Sequence, residues 1–78
     1  MSYAAPRPAK TKKELVAKVI GTGTTKTYKA GKACQVQRNP SQPGMFIVYF
    51  AKNIITQVKS EDMPETIEYT DGKSALWQ

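Results

Sequence analysis

Few side chains in this sequence could carry out chemistry, and they do not form a catalytic set. The 78 residues contain no histidine and one cysteine, Cys34, so the commonest general base is missing and a zinc site of the usual Cys/His kind cannot be assembled. The carboxylates of residues 61–71 have no histidine or metal set behind them, and Cys34 has no evident base to activate it. The sequence therefore predicts a protein without enzymatic activity, metal or other cofactor.

The segment 21–27, GTGTTKT, places glycines beside lysine and threonine, as phosphate-binding loops do. A P-loop requires the spacing GxxxxGK[ST] between a buried strand and a helix, and neither the second glycine nor a helix-forming segment follows in register. We therefore interpret the segment as an exposed β ribbon that bends at Gly21 and Gly23 and leads to Thr27 and Tyr28.

The charges are strongly segregated along the chain. Residues 1–52 hold ten basic side chains and one acidic, a net charge of +9, whereas residues 53–78 hold two basic and five acidic, a net charge of −3. Lysines also serve solubility, but a one-sided basic field favours a polyanionic partner, most often nucleic acid. We predict DNA or RNA binding by the basic side chains of the N-terminal half and one tyrosine among them: Arg7, Lys10, Lys12, Lys13, Lys18, Lys26, Tyr28, Lys29, Lys32 and Arg38.

A second function remains open from the sequence. The chain could be a protein-interaction module, for example a small regulator or inhibitor that docks on a larger enzyme or nucleoprotein complex. Its contacts would be the acidic pair Glu61 and Asp62 and the apolar pair Leu76 and Trp77 near the chain end.

These side chains must be positioned by strands, and the most apolar stretch predicts a central hairpin. From Met45 to Phe50 both alternating sets are apolar, which is typical of a strand covered on both sides. Residues 51–53 suit a tight turn, since Asn53 can take a left-handed conformation, and residues 54–59 are predicted to form the return strand. The predicted core consists of Ile47, Val48, Phe50, Ile54 and Val58.

The other predicted elements are shorter. Residues 1–13 have two prolines and many cations with little to bury, so we predict a flexible basic tail. Ser60 is predicted to cap a helical turn, Met63 to plug the open end of a barrel, and Cys34 to lie in the core. The remaining elements are strands over 14–20, 33–38 and 66–69, a loop over 39–44, a turn at Asp71-Gly72, and a last strand or flap at Leu76-Trp77.

The stretch 48–64, VYFAKNIITQVKSEDMP, resembles the tail of SH3-like small barrels, including Tudor-like ones. The resemblance implies an all-β fold, a five-stranded barrel over residues 14–78 with a one-turn helix before the last strand; an OB-like barrel is the alternative. Tudor-like barrels bind methylated lysine or arginine in an aromatic cage, and the resemblance would give that role to Tyr49, Phe50 and Tyr69.

The size and composition also bear on the compartment. A single small domain without a disulfide predicts an intracellular protein, in the cytoplasm or the nucleoid or nucleus. No stretch approaches the roughly 20 apolar residues of a membrane span, and no signal peptide is apparent, so we expect no membrane association.

Overall fold

A computed structural model of the chain describes residues 6–70, which form seven strands, a 3-10 turn and one turn of α-helix. The 3-10 turn, Ser60–Asp62, leads directly into helix α1, Met63–Thr66. The strands are β1 (Arg7–Thr11), β2 (Leu15–Val19), β3 (Thr25–Tyr28), β4 (Ala33–Arg38), β5 (Met45–Ala51), β6 (Ile54–Lys59) and β7 (Ile67–Tyr69). They make one sheet in the order β3-β2-β6-β5-β4-β1-β7, in which every neighbouring pair is antiparallel.

The all-β class is confirmed, but the predicted five-stranded closed barrel is wrong. The five predicted strands are present as β2, β4, β5, β6 and β7, and two more join them in a single open sheet. One is β3, which pairs with β2 as an edge strand, and the other is β1, which lies between β4 and β7. The exposed β ribbon predicted to lead to Thr27 and Tyr28 is thus a strand over Thr25–Tyr28, whereas β1, which contains proline, lysine and threonine, was not predicted.

The flexible-tail prediction is wrong for residues 7–11, which form β1. This strand hydrogen-bonds to neighbours on both sides, so backbone pairing contributes much of the ordering that its side chains cannot. Its inward positions, Ala9 and Thr11, are small and only 3% and 2% exposed. Pro8 lacks an N–H donor, but its carbonyl accepts a 3.0 Å hydrogen bond from the Thr70 amide. Residues 1–5 lie outside the described part.

The central hairpin is confirmed as β5 and β6, with a different turn. The register passes from Tyr49 opposite Ile55 to Ala51 opposite Ile54, so Phe50 is an extra, bulged residue. Within residues 6–70 no residue other than glycine has a positive φ, so the left-handed conformation predicted for Asn53 is wrong. The bulge lets the strand pair turn sharply without it.

The sheet curls around its core. Tyr28 of β3 and Phe50 of β5 have ring centroids 4.2 Å apart, although β2 and β6 lie between their strands. In a flat sheet with strands about 4.8 Å apart, these two strands would be about 14 Å apart. We call the concave side the inner face and the convex side the outer face. The inner face and α1 together bury one apolar cluster: Ala9, Ala17, Cys34, Val36, Val48, Phe50, Val58, Met63 and Ile67.

The predicted core is correct for three positions and needs two changes. Val48, Phe50 and Val58 are buried, whereas Ile54 is half-buried at the border of the cluster. Ile47 pairs with Gln37 and Gln57 on the outer face, where it is also only half-buried. An all-apolar strand does not reveal which of its faces is covered more completely, so the sequence could not separate the two sets.

Of the smaller predictions, two are confirmed and one is wrong. Met63 and Cys34 are buried, as predicted. Ser60 is not a cap, because Lys59 occupies the N-cap position of the 3-10 turn and no side chain makes a capping hydrogen bond there. The predicted turn at Asp71-Gly72 and the segment with Leu76 and Trp77 lie outside the described residues.

Candidate nucleic-acid interface

Four of the predicted contact residues, Lys26, Tyr28, Lys29 and Lys32, lie together at the end of β3; we call them the lysine–tyrosine cluster. The Tyr28 ring stacks on the buried Phe50 ring, with centroids 4.2 Å apart and an interplanar angle of 16°. The ammonium groups of Lys26 and Lys32 lie 5.8 Å and 5.5 Å from the Tyr28 centroid, within the range of a cation–π contact. The core thus anchors the ring around which two cations gather.

The turn that carries Lys29 and Lys32 is held by Thr11 of β1. The Thr11 amide donates to the Lys32 carbonyl (3.0 Å), and the Thr11 carbonyl accepts from the Gly31 amide (2.7 Å). Its hydroxyl donates to the Lys29 carbonyl and accepts from the Lys32 amide, both at 3.1 Å. Gly31 has a φ of +89°, which favours glycine.

Thr11 is therefore a positioning residue that sequence reasoning missed. It fell within the predicted flexible tail, where a threonine carries no signal of its own. The one available indication was the alternation of small Ala9 and Thr11 with Pro8 and Lys10, which is the period of a strand. The contact partners of Thr11 lie 18 and 21 residues away, and no local pattern predicts them.

The other predicted lysines lie in different surroundings. Lys10 faces the outer side and pairs with Glu68 at 3.7 Å, the one ion pair that residues 6–70 show. The Lys12 ammonium donates a 2.7 Å hydrogen bond to the Pro64 carbonyl of α1. Lys13 is exposed between β1 and β2, and Lys18 lines a shallow groove of about 370 Å³ on the outer face.

Both predicted arginines lie on aromatic rings. The Arg7 guanidinium carbon is 4.1 Å from the Tyr69 ring centroid, and that of Arg38 is 5.5 Å from the Phe46 centroid. Both arginines are exposed, and Tyr69 is 38% exposed. These pairs lie away from the lysine–tyrosine cluster, because Arg7 and Thr11 are at opposite ends of β1.

The acidic residues of the alternative interface lie on the helical segment. Glu61 and Asp62 are exposed in the 3-10 turn, which buries no residue, and Glu65 is exposed in α1. This part of the surface therefore presents carboxylates to solvent. Leu76 and Trp77, the other half of that prediction, are outside the described residues.

The aromatic cage implied by the Tudor-like resemblance does not form. Tyr49 opposes Gln35 and Ile55 on the outer face, whereas Phe50 is buried beneath Tyr28 on the inner face. Tyr69 is in β7, beside Arg7. The three rings do not converge, because consecutive strand residues point to opposite faces of a sheet.

The described residues offer little other reactive chemistry. Burial raises the pKa of the Cys34 thiol to about 11, so it stays protonated and weakly nucleophilic at neutral pH. Within residues 6–70 no three His, Cys, Asp or Glu side chains are placed to hold a metal ion. No helix in the same range has the length and hydrophobicity to cross a bilayer.

Comparisons with protein-family models, curated proteins and solved structures gave no significant match.

Proposed function

We propose that the protein binds nucleic acid without sequence specificity, through the lysine–tyrosine cluster. The observation that carries the proposal is the gathering of two ammonium groups around the anchored Tyr28 ring, with Lys29 on the same Thr11-held turn. None of the three lysines has an ion-pair partner within residues 6–70. Their charges are therefore available to phosphates.

Phosphate attraction would supply most of the affinity. Each neutralised phosphate contributes a log–log salt slope of about −0.7 on single strands and about −0.9 on duplex DNA. Three lysines would therefore give a slope of roughly −2 on a single strand. A site of this size binds tightly at low salt and weakly at moderate salt.

Tyr28 would add a contact to an unpaired base. Phe50 covers one face of its ring, so at most the other face is available. Stacking of one base on an aromatic side chain contributes about 1–3 kcal/mol. A base stacked there would take the place of the two ammonium groups, which would move toward the flanking phosphates.

A charge-matched pair of variants tests the proposal. Lys29→Glu/Lys32→Glu and Lys52→Glu/Lys59→Glu both lower the net charge from +6 by four, to +2, but only the first alters the cluster. We expect the first to weaken binding of a labelled 20-nucleotide DNA strand by roughly tenfold and to reduce the salt slope by about 1.4. The second should change both values much less. Equal effects of the two variants would mean that only total charge matters, and would refute this site.

Protein docking is the second candidate, supported by exposed residues outside the lysine–tyrosine cluster. Val16 and Ile20 are 55% and 52% exposed on the outer side, and the carboxylates of Glu61 and Asp62 are solvent-facing. A docking module would show no useful affinity for DNA or RNA at moderate salt. Reversing Glu61 and Asp62 to lysine would then disrupt capture of its protein partner, whereas under the preferred proposal it leaves nucleic-acid binding unchanged or stronger.

A further inference from the structure

Four side chains form a row across the inner face, at the end away from Thr11; we call it the arginine–aromatic row. The β1–β4 register sets Arg7 opposite Val36, two residues before Arg38, and the β4–β5 register sets Arg38 opposite Phe46. Tyr69 opposes Ala9, two residues after Arg7. Directly opposed residues, and residues two apart in a strand, share a face. The row therefore reads Tyr69, Arg7, Arg38, Phe46 across four adjacent strands.

The guanidinium donors of Arg7 and Arg38 have no hydrogen-bond partner within residues 6–70. Arg7 and Arg38 approach their rings at 4.1 Å and 5.5 Å. A cation–π contact does not use up the hydrogen-bonding capacity of a guanidinium, so a ligand can still bind its N–H donors. No carboxylate of residues 6–70 is within ion-pair distance of either arginine.

This combination suits one kind of ligand. In-plane guanidinium donors match phosphate oxygens in a bidentate manner. An arginine lies over one face of each ring at the two ends of the row, so at most the other face can stack on a base. Tyr69 is the more accessible of the two rings. Bases are accessible for such stacking only where they are unpaired.

We infer that the arginine–aromatic row is a second nucleic-acid contact, specific for single strands, with phosphates on the two guanidinium groups and a base on Tyr69. Arg7 and Thr11 are four residues apart in β1, about 13 Å at the usual strand rise. The two contacts are therefore separate. This inference extends the proposed function, in which the lysine–tyrosine cluster supplies charge to any nucleic acid.

The test compares a labelled 20-nucleotide DNA strand, alone and annealed to its complement, by fluorescence anisotropy. Arg7→Lys/Arg38→Lys keeps both charges but loses the planar, bidentate group. We expect it to weaken single-strand binding by about fivefold, the equivalent of about 1 kcal/mol for lost hydrogen bonds to phosphate. Duplex binding should stay within about twofold, because a duplex offers no unpaired base to Tyr69 and so does not occupy the row. Lys52→Arg/Lys59→Arg, the reverse exchange elsewhere, should alter neither.

A second variant, Tyr69→Leu, tests the base contact without changing any charge. It should also lower single-strand affinity by about fivefold, without changing the salt slope. A circular-dichroism melt of each variant shows whether it folds. If the ratio of single-strand affinity to duplex affinity is the same in both folded variants as in the parent protein, the inference is wrong.

The outcomes also separate this inference from the proposed function. If Lys29→Glu/Lys32→Glu weakens binding while the row variants keep the parental ratio, the function stands and the inference falls. If the row variants lose single-strand binding and the lysine variant does not, the reverse holds. A poly-glutamate of equal charge that competes as well as the DNA strand would show that the row recognises only charge, which also overturns the inference.

Discussion

At the residue scale, the turn that carries Lys29 and Lys32 is held by a side chain outside the lysine–tyrosine cluster, Thr11. Thr11, the last residue of β1, is buried against the turn, and it makes four hydrogen bonds with residues 29–32. A lysine on a loosely held turn would lose more conformational entropy when it binds a phosphate. Under the proposed function, Thr11 would remove part of that cost before binding.

Thr11→Val tests this role with a side chain of the same shape. It removes the hydroxyl, so the Lys29 carbonyl and the Lys32 amide lose a partner, and we expect a loss of about 1–3 kcal/mol of unfolding free energy. Thr27→Val, on the exposed part of β3, should change stability by less than about 0.5 kcal/mol. Urea denaturation of the two variants measures the difference. Equal midpoints would show that the hydroxyl bonds do not hold the turn.

At the scale of elements, the sequence predicted those strands whose own side chains explain them. The alternating apolar sets of residues 45–59 predicted β5 and β6 because a strand covered on both faces has few other interpretations. The order of β1 comes instead from hydrogen bonds with two neighbouring strands and from small inward residues. Such a strand carries almost no hydrophobic signal.

The same reasoning separates the predictable from the unpredictable parts of the site. Lys26, Tyr28 and Lys29 are neighbours in sequence, so their grouping could be foreseen. Arg7 and Tyr69 are 62 residues apart, and only the β1–β7 register brings them into contact. No pattern within either segment could have indicated that pairing.

If β1 is an interior strand, a charge on its inner side should unfold the domain. Ala9→Glu would bury a carboxylate among apolar neighbours with no partner, at a cost of about 3–5 kcal/mol. Lys10→Gln, one residue on but facing solvent, removes the ion pair with Glu68 and should cost less than about 1 kcal/mol. Thermal melts followed by circular dichroism distinguish the two. A flexible tail would tolerate both substitutions equally.

At the scale of the whole molecule, the thin core and the lysine–tyrosine cluster both depend on one side chain, Phe50. A 78-residue chain has roughly 4–12 kcal/mol of stability by the usual value per residue. Phe50 belongs to the buried cluster and also forms the platform on which Tyr28 stacks. Its position in the bulge of β5 places it where the curled sheet brings β3 and β5 together. The proposed function therefore predicts that stability and binding are coupled through this ring.

The two faces of β5 provide the test of that coupling. Phe50→Ala should cost about 3–5 kcal/mol, since it leaves a cavity and removes the stacking partner of Tyr28, and the domain should be largely unfolded at 37 °C. Ile47→Ala, on the half-buried outer face, should cost less. Phe50→Leu keeps most of the volume, so a folded protein should remain in which DNA-strand affinity falls because Tyr28 has lost its platform. Unfolding curves give the order of the three variants, and a larger loss for Ile47→Ala than for Phe50→Ala would show that the inner and outer faces have been interchanged.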